Sequence, residues 1–210
     1  MHIWKTERPI IDHLMRHTIA TDRLLPIQDR ERAMITIAHL VRSKQISQWQ
    51  HRSGLRYWTL FAPRPLSEVS LVKALGLTLF LLETTKRSAL TSDDIREYFP
   101  QLFRHGLPYG YFVEQNERCT GLGYAKVDVC SRVSRIVERS LWSIDKHRSH
   151  RQFRKLIDEG RFTLTWIVAT DAKRRRLTDA FRLATASGVS IRVCAIRELL
   201  DIVAPIPNPR

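Results

Sequence analysis

One stretch in the first third of the chain carries side chains able to bind phosphate and no acidic ones. No acidic residue occurs between Arg32 and Ser67, whereas arginine and lysine recur throughout this stretch. Guanidinium and ammonium groups attract phosphate oxygens, and the 210-residue chain carries a formal net charge of +14. This charge favours nucleic acid as the partner, with an anionic membrane surface as the second candidate. The basic residues of the stretch are Arg32, Arg42, Lys44, Arg52, Arg56 and Arg64.

Other residue patterns for chemistry are weak. Cys119, Cys130 and Cys194 are widely separated and form no Cys-x-x-Cys pair, so we expect core thiols rather than disulfides or a zinc site. Gly121-x-Gly123 lies between predicted strands, where it indicates a turn rather than a phosphate loop. The N-terminus lacks the apolar run of a secretory signal, and the most apolar stretch is too short to span a membrane. We therefore expect a cytoplasmic protein without a membrane partner.

The first part of the chain is predicted to contain three helices and a β-hairpin. Apolar residues recur at helical spacing over Pro9–Arg16 and Gln28–Lys44, and a short apolar segment with an N-cap lies at Thr21–Ile27. Ile46–Gln50 and Leu55–Phe61 are β-prone runs around a turn that contains glycine. This order is that of a winged helix-turn-helix domain, whose third helix enters the major groove while the hairpin lies against the backbone.

Residues 1–66 are accordingly predicted to form a winged helix-turn-helix domain that binds double-stranded DNA. Basic charge alone does not distinguish DNA from RNA, so RNA stays open as a ligand. The residues expected to contact DNA are Arg30, Arg32, His39, Arg42 and Lys44 on the third helix, and Arg52 and Arg56 in the hairpin.

Residues 67–210 are predicted to form a second domain, because Pro63, Pro65 and Ser67 interrupt the pattern before it. Its strands are nearly continuously apolar and alternate with helices, which indicates a mixed sheet covered on both faces and an α+β fold class. The predicted elements are helices at Leu71–Lys86 and from Thr91, strands at Tyr109–Gln115, Gly123–Cys130 and Arg135–Trp142, a helix at His147–Glu159, a strand at Phe162–Ala169, a helix at Asp171–Ser187, a strand at Val189–Ile196 and a short helix at Arg197–Val203.

This order of elements resembles the restriction-endonuclease-like, or PD-(D/E)xK, fold over roughly residues 70–196. In active members, carboxylates on the second and third strands bind Mg²⁺ or Mn²⁺, which polarises the phosphate and helps to generate the nucleophile. The resemblance implies Asp128 and Glu138 as the metal-binding, catalytic carboxylates, and Glu83 and Glu114 as additional ligands. The motif's lysine is replaced by Ser140. Lys126, two residues before Asp128, is the candidate to take its place.

A missing lysine favours a domain that binds DNA without cutting it, so no cofactor is expected unless the domain is catalytic. A basic helix adds a second predicted DNA surface through Lys173, Arg174 and Arg175. A winged helix joined to this second domain resembles the replication-relaxation group and the MobC-type mobilisation relaxases, most closely over Trp166–Leu177. The resemblance implies DNA binding in a plasmid or mobile element. A nicking endonuclease or relaxase is the alternative, and an adaptor that binds a protein partner, as a homodimer for example, is the third hypothesis.

Overall fold

The chain adopts a mixed α+β fold with two β-sheets. The computed structural model describes residues 4–100, 110–115, 120–129, 131–184 and 189–203. The first sheet is antiparallel, in the order β1-β3-β2, and two helices accompany it. The elements of this part are α1 (Trp4–His17), β1 (Ala20–Thr21), α2 (Arg30–Arg42), β2 (Ile46–Gln50) and β3 (Arg56–Leu60).

The second sheet has five strands in the order β4-β5-β6-β7-β8. Its first three strands pair antiparallel, and β6, β7 and β8 pair parallel, so this sheet is mixed. The elements are α3 (Glu68–Leu82), β4 (Arg87–Ala89), α4 (Ser92–Tyr98), β5 (Tyr111–Gln115), β6 (Thr120–Val127), α5 (Val133–Arg148), α6 (Arg151–Asp158), β7 (Phe162–Val168), α7 (Asp171–Leu183), β8 (Ser190–Ala195), a 3₁₀ turn (Arg197–Leu199) and α8 (Leu200–Val203).

The hairpin is confirmed, but the prediction of three helices before it is wrong. The predicted middle helix is replaced by β1, which pairs with β3, and by an irregular segment from Asp22 to Asp29. Pro26 lacks an amide hydrogen and disfavours the helical conformation at Leu25, so this short segment cannot propagate a helix. Asp29 then caps α2 by accepting a hydrogen bond from the Arg32 amide at 3.0 Å, which sets the start of that helix.

The predicted third strand of the second sheet is also wrong. Arg135–Trp142 lies within α5, where Ile136, Ser140 and Ile144 recur every four residues on the buried face. The sequence pattern missed β4 instead, since three residues carry almost no periodic signal. The antiparallel part of the sheet consequently consists of β4, β5 and β6, one strand earlier along the chain than expected.

Helix α3 forms the centre of the molecule. It is buried on nearly all sides, and its side chains share one apolar cluster with Ile19, just before β1, with Tyr57 from the first sheet, and with Phe112 and Ile167 from the second. The Thr78 hydroxyl also donates to the His17 carbonyl oxygen at 3.1 Å. This continuous core connects the segments on either side of the predicted boundary at residue 66.

The five-stranded sheet is covered on both faces, as predicted. Helices α3 and α8 pack on one face, and α5, α6 and α7 cover the other through contacts such as Ile144 and Leu177 with Leu164 and Trp166. No helix in the described part of the chain is long and apolar enough to cross a membrane. Cys194 is half-buried, whereas Cys119 and Cys130 lie outside the described residues.

Gly123 is required where β5 and β6 pair. A Cβ atom at this position would lie 2.1 Å from Cζ of the buried Phe112 ring. We therefore expect Gly123→Ala to lower the free energy of unfolding by about 2–3 kcal/mol, measured by urea denaturation. Phe112→Leu opens space beside residue 123, so the double variant should lose less stability than the sum of the two single variants. Additive losses would show that this contact is not the cause.

Candidate nucleic-acid interface

Helix α2 has one buried apolar face and one exposed face on which basic, apolar and acidic side chains are mixed. Ala33, Ile37 and Leu40 are buried against α1 and the hairpin. The opposite face is exposed and carries Ile35, whose surface is 66% accessible, and Arg42, two turns further along the helix. Arg30 and Arg32 are exposed in the first turn of the helix, with Glu31 between them. Because the buried stripe fixes the rotation of the helix, this exposed face points away from the core.

The next two predicted contacts lie at the end of α2. His39 is exposed, and its Nε2 lies 3.7 Å from Oε1 of the buried Glu7 on α1. This nitrogen therefore faces α1 rather than solvent. Lys44 adopts a left-handed backbone conformation with φ of 57°. This conformation ends the helix and turns the chain into β2, leaving the Lys44 side chain exposed.

The two predicted hairpin contacts are held by carboxylates within the molecule. Arg52 Nη2 donates to Glu68 Oε2 at 2.9 Å. Arg56 donates two hydrogen bonds to Asp22, at 2.9 and 3.3 Å, and its guanidinium lies 5.4 Å from the centre of the Trp58 ring. Both arginines remain substantially exposed. Exposed ion pairs contribute at most about 1 kcal/mol, so exchange of these carboxylates for DNA phosphates is energetically accessible.

The second predicted basic surface, on α7, is largely paired. Arg174 Nε donates to Asp171 at 3.1 Å, and Arg197 donates to the other oxygen of the same carboxylate at 2.7 Å. These two hydrogen bonds, first from Arg197 and then from Arg174, lower the pKa of Asp171. Lys173 contacts Asp128. Of the three predicted α7 contacts, Arg175 is exposed and forms no ion pair within the described ranges.

Asp128 lies just after the carboxyl end of β6, where its carboxylate is buried and hydrogen-bonded. Its side chain is 3% exposed and accepts hydrogen bonds from Lys173 Nζ and, at 2.8 Å, from the Ser131 amide. Glu138 lies exposed on α5 rather than on a strand beside Asp128. Among the residues that the structure describes, no three His, Cys, Asp or Glu side chains come together as a metal site.

Glu83 and Glu114, the additional ligands that the resemblance implied, both contact the same arginine. Arg87 donates to Glu83 and to Glu114 at 2.9 Å each, and Arg192 donates to Glu114 at 2.9 Å. Burial opposes ionisation of Glu114, but the hydrogen bonds from Arg192 and Arg87 outweigh burial and lower its pKa. This cluster is therefore an ion-pair network that joins α3, β4, β5 and β8.

The structure also contains a cleft that the sequence did not predict, with a volume of about 680 Å³. It lies at the end of β6, between α3 and α5. Lys73, Lys126 and Arg139 line it together with Trp142 and Trp166. Burial, and then the Arg139 charge, lower the pKa of Lys126. The signal in the sequence is the lysine within the otherwise apolar end of β6, but its neighbours come from segments far apart in the chain.

Neither protein-family models nor curated proteins nor solved structures yield a match to this chain.

Proposed function

We propose that this protein binds double-stranded DNA through α2 and the β2–β3 hairpin. The observation that carries the proposal is the exposed side of α2, where Arg42 lies two turns beyond the exposed Ile35 and Arg30 is exposed in the first turn, on a helix fixed by its buried stripe. An α-helix fits the major groove, and the hairpin that follows supplies cations to the neighbouring backbone.

The chemistry of this face suits both parts of DNA recognition. Arginines contact phosphates and the O6 and N7 atoms of guanine, and an apolar side chain such as Ile35 contacts the methyl group of thymine. The two hairpin arginines already hold carboxylates, which are stereochemically similar to phosphate oxygens. The likeness of Trp166–Leu177 to replication-relaxation proteins supports a role on plasmid or mobile-element DNA in the cytoplasm.

The direct test removes the two arginines. Arg30→Ala/Arg42→Ala is expected to weaken binding to a short DNA duplex by about tenfold or more at moderate salt. It should also reduce the slope of log affinity against log salt by about two, because two phosphate contacts are lost. Fluorescence anisotropy of a labelled duplex measures both quantities. An RNA duplex of the same sequence, used as a competitor, tests the choice of nucleic acid.

Lys86→Ala/Arg96→Ala is the matched control, because it removes the same charge from exposed positions near β4 and on α4. It should change duplex affinity by less than about twofold. Equal losses in the two double variants would mean that net charge alone drives binding, and would contradict an interface at α2.

Glu31 provides a test in the opposite direction. It is exposed in the first turn of α2, between Arg30 and Arg32, where its charge repels an approaching phosphate. Glu31→Gln is expected to tighten duplex binding by about two- to fivefold, measured in the same titration. The gain should diminish at high salt because the repulsion is screened. Weaker binding by this variant would argue against contact between DNA and this turn.

A metal-dependent nicking activity is a second candidate, favoured by the placement of Asp128 beside Lys173 at the same strand end as Lys126. In such a reaction Asp128 would hold Mg²⁺ or Mn²⁺ and a lysine would offset charge on the phosphate. Supercoiled plasmid incubated with either ion tests it. Nicking that Asp128→Asn abolishes would support the activity. Intact plasmid, or nicking that survives the substitution, would exclude it.

A further inference from the structure

We propose that the cleft at the end of β6 binds one unpaired nucleotide of a DNA strand, with its phosphate at Lys126 and Arg139 and its base stacked on Trp142. The proposal takes DNA as the ligand from the proposed function but places a separate, single-strand site in the second sheet. Its dimensions suit this occupant, since small-ligand sites range from about 300 to 1,000 Å³ and the cleft measures about 680 Å³.

The cations of the cleft have no balancing acid. Lys73, Lys126 and Arg139 line it, and none of them forms an ion pair within the described segments. Asp128 is the acid in the lining, and its charge is already matched by Lys173. The cleft therefore has a positive potential that a phosphate group would neutralise.

Lys126 is the most informative of these cations. Its ammonium lies 5.1 Å from the centre of the Tyr124 ring and 5.6 Å from that of Trp166, so aromatic faces replace much of its water. A partly buried charge without a counter-ion carries a desolvation cost, in agreement with the lowered pKa of this lysine. A bound phosphate would offset that cost.

Trp142 supplies the part of the site that a free anion would not need. Its side chain lines the cleft although 65% of the residue is exposed, and Lys146 lies 5.1 Å from the ring centre. Exposed aromatic rings next to basic side chains are the usual platforms for unpaired bases, since any base can stack on them. An acidic peptide would use the cations but gain little from this indole.

Hydrogen bonds hold the floor of the cleft in place. Trp166 Nε1 donates to the buried Ser140 hydroxyl at 2.7 Å, and that hydroxyl donates to the Ile136 carbonyl oxygen at 2.6 Å. These hydrogen bonds fix β7 to α5 behind Lys126. A site held in this way loses little conformational entropy when a nucleotide enters.

The test titrates the full chain against a labelled oligothymidylate and, separately, against a blunt DNA duplex. Trp142→Ala and Lys126→Gln should each weaken oligothymidylate binding about tenfold and change duplex affinity by less than about twofold. Trp142→Phe keeps a ring that can stack, so it should retain most of the affinity. Circular dichroism of each variant verifies that the fold is intact.

The α2 variant Arg30→Ala/Arg42→Ala separates this inference from the proposed function. It should lose duplex affinity and keep oligothymidylate affinity. If it keeps both, the α2 interface is wrong while the cleft can still be correct. Unchanged oligothymidylate affinity in Trp142→Ala and Lys126→Gln would overturn the inference. Displacement of oligothymidylate by polyglutamate as readily as by unlabelled single strands would also overturn it, since the cleft would then be a site for acidic peptides.

Discussion

Replacing Lys173 by methionine is expected to lower the free energy of unfolding by about 2–3 kcal/mol. The substitution leaves the Asp128 carboxylate, 3% exposed, without its ammonium partner. Loss of one member of a buried ion pair typically costs about 3–5 kcal/mol, because the remaining charge is poorly solvated. The expected value is smaller because Lys173 is itself 25% exposed, so water can partly replace its ammonium.

Urea denaturation followed by circular dichroism measures this loss. Asp128→Asn/Lys173→Met removes the unpaired carboxylate charge and should recover much of the stability. The side-chain oxygen of the asparagine can still accept a hydrogen bond from the backbone N–H of Ser131. Lys155→Met is the control, because Lys155 is 78% exposed on α6 and should change stability by less than about 0.5 kcal/mol. If Lys173→Met were as stable as the control, the contact between Asp128 and Lys173 would not form in solution.

Acidification from about pH 7 to about pH 5 is expected to destabilise the fold strongly, because several histidines are buried in the neutral form. Burial lowers the pKa of His13 and of His147. Burial, assisted by the charges of His13 and Arg16, lowers the pKa of His17 to about 4. In the unfolded chain these groups titrate at about pH 6.5.

The sign follows from these directions. Below about pH 6.5 the unfolded chain binds protons that the folded chain does not, so stability present above that pH is lost as the pH falls toward 4. His17 alone should contribute a loss of about 2 kcal/mol between pH 7 and pH 5. His147 adds to it, because burial lowers its pKa despite the opposing hydrogen bond from Nδ1 to the Ser143 carbonyl oxygen, and in this neutral form Nε2 can accept from the Tyr111 hydroxyl at 2.8 Å.

Urea midpoints at the two pH values test this expectation. His17→Gln should reduce the difference in stability between pH 7 and pH 5, whatever its effect at pH 7. Lys155→Met is again the control, since it changes an exposed side chain and no histidine, and it should leave the difference unchanged. A pH-independent midpoint in the wild-type chain would contradict the buried, neutral state of these histidines.

The elements that the sequence predicted well are those with a strong local signal. The hairpin combines β-prone residues with a turn that contains Gly54, whose φ is +85°. Strand β7 is a nearly continuous apolar run. Helix α4 has a capping box between Thr91 and Asp94, and the threonine followed by acidic residues predicted this helix start from the sequence. The helix predicted over Asp171–Ser187 ends at Leu183, where Ala184 caps it, and residues 185–187 lie outside the described segments.

The errors arose where tertiary contacts decide the structure. The sequence of Arg135–Trp142 admits a strand, and its helical state depends on Ile136 and Ser140 packing against the sheet. Likewise, nothing local distinguishes Lys173 from its neighbours Arg174 and Arg175, although only Lys173 reaches Asp128, 45 positions away. The cleft that contains Lys126 and Trp142 is formed by such long-range contacts, so its members could not be grouped from spacing.

Photo-crosslinking from the exposed face of α2 tests the central claim most directly. A benzophenone amino acid at position 35 replaces the exposed Ile35, and one at position 98 replaces Tyr98, which is 63% exposed on α4. Duplex binding through α2 predicts a crosslink to DNA from position 35 and none from position 98, with the first lost when unlabelled duplex competes. Crosslinking from position 98 but not from position 35, with duplex affinity intact in both proteins, would contradict an interface at α2.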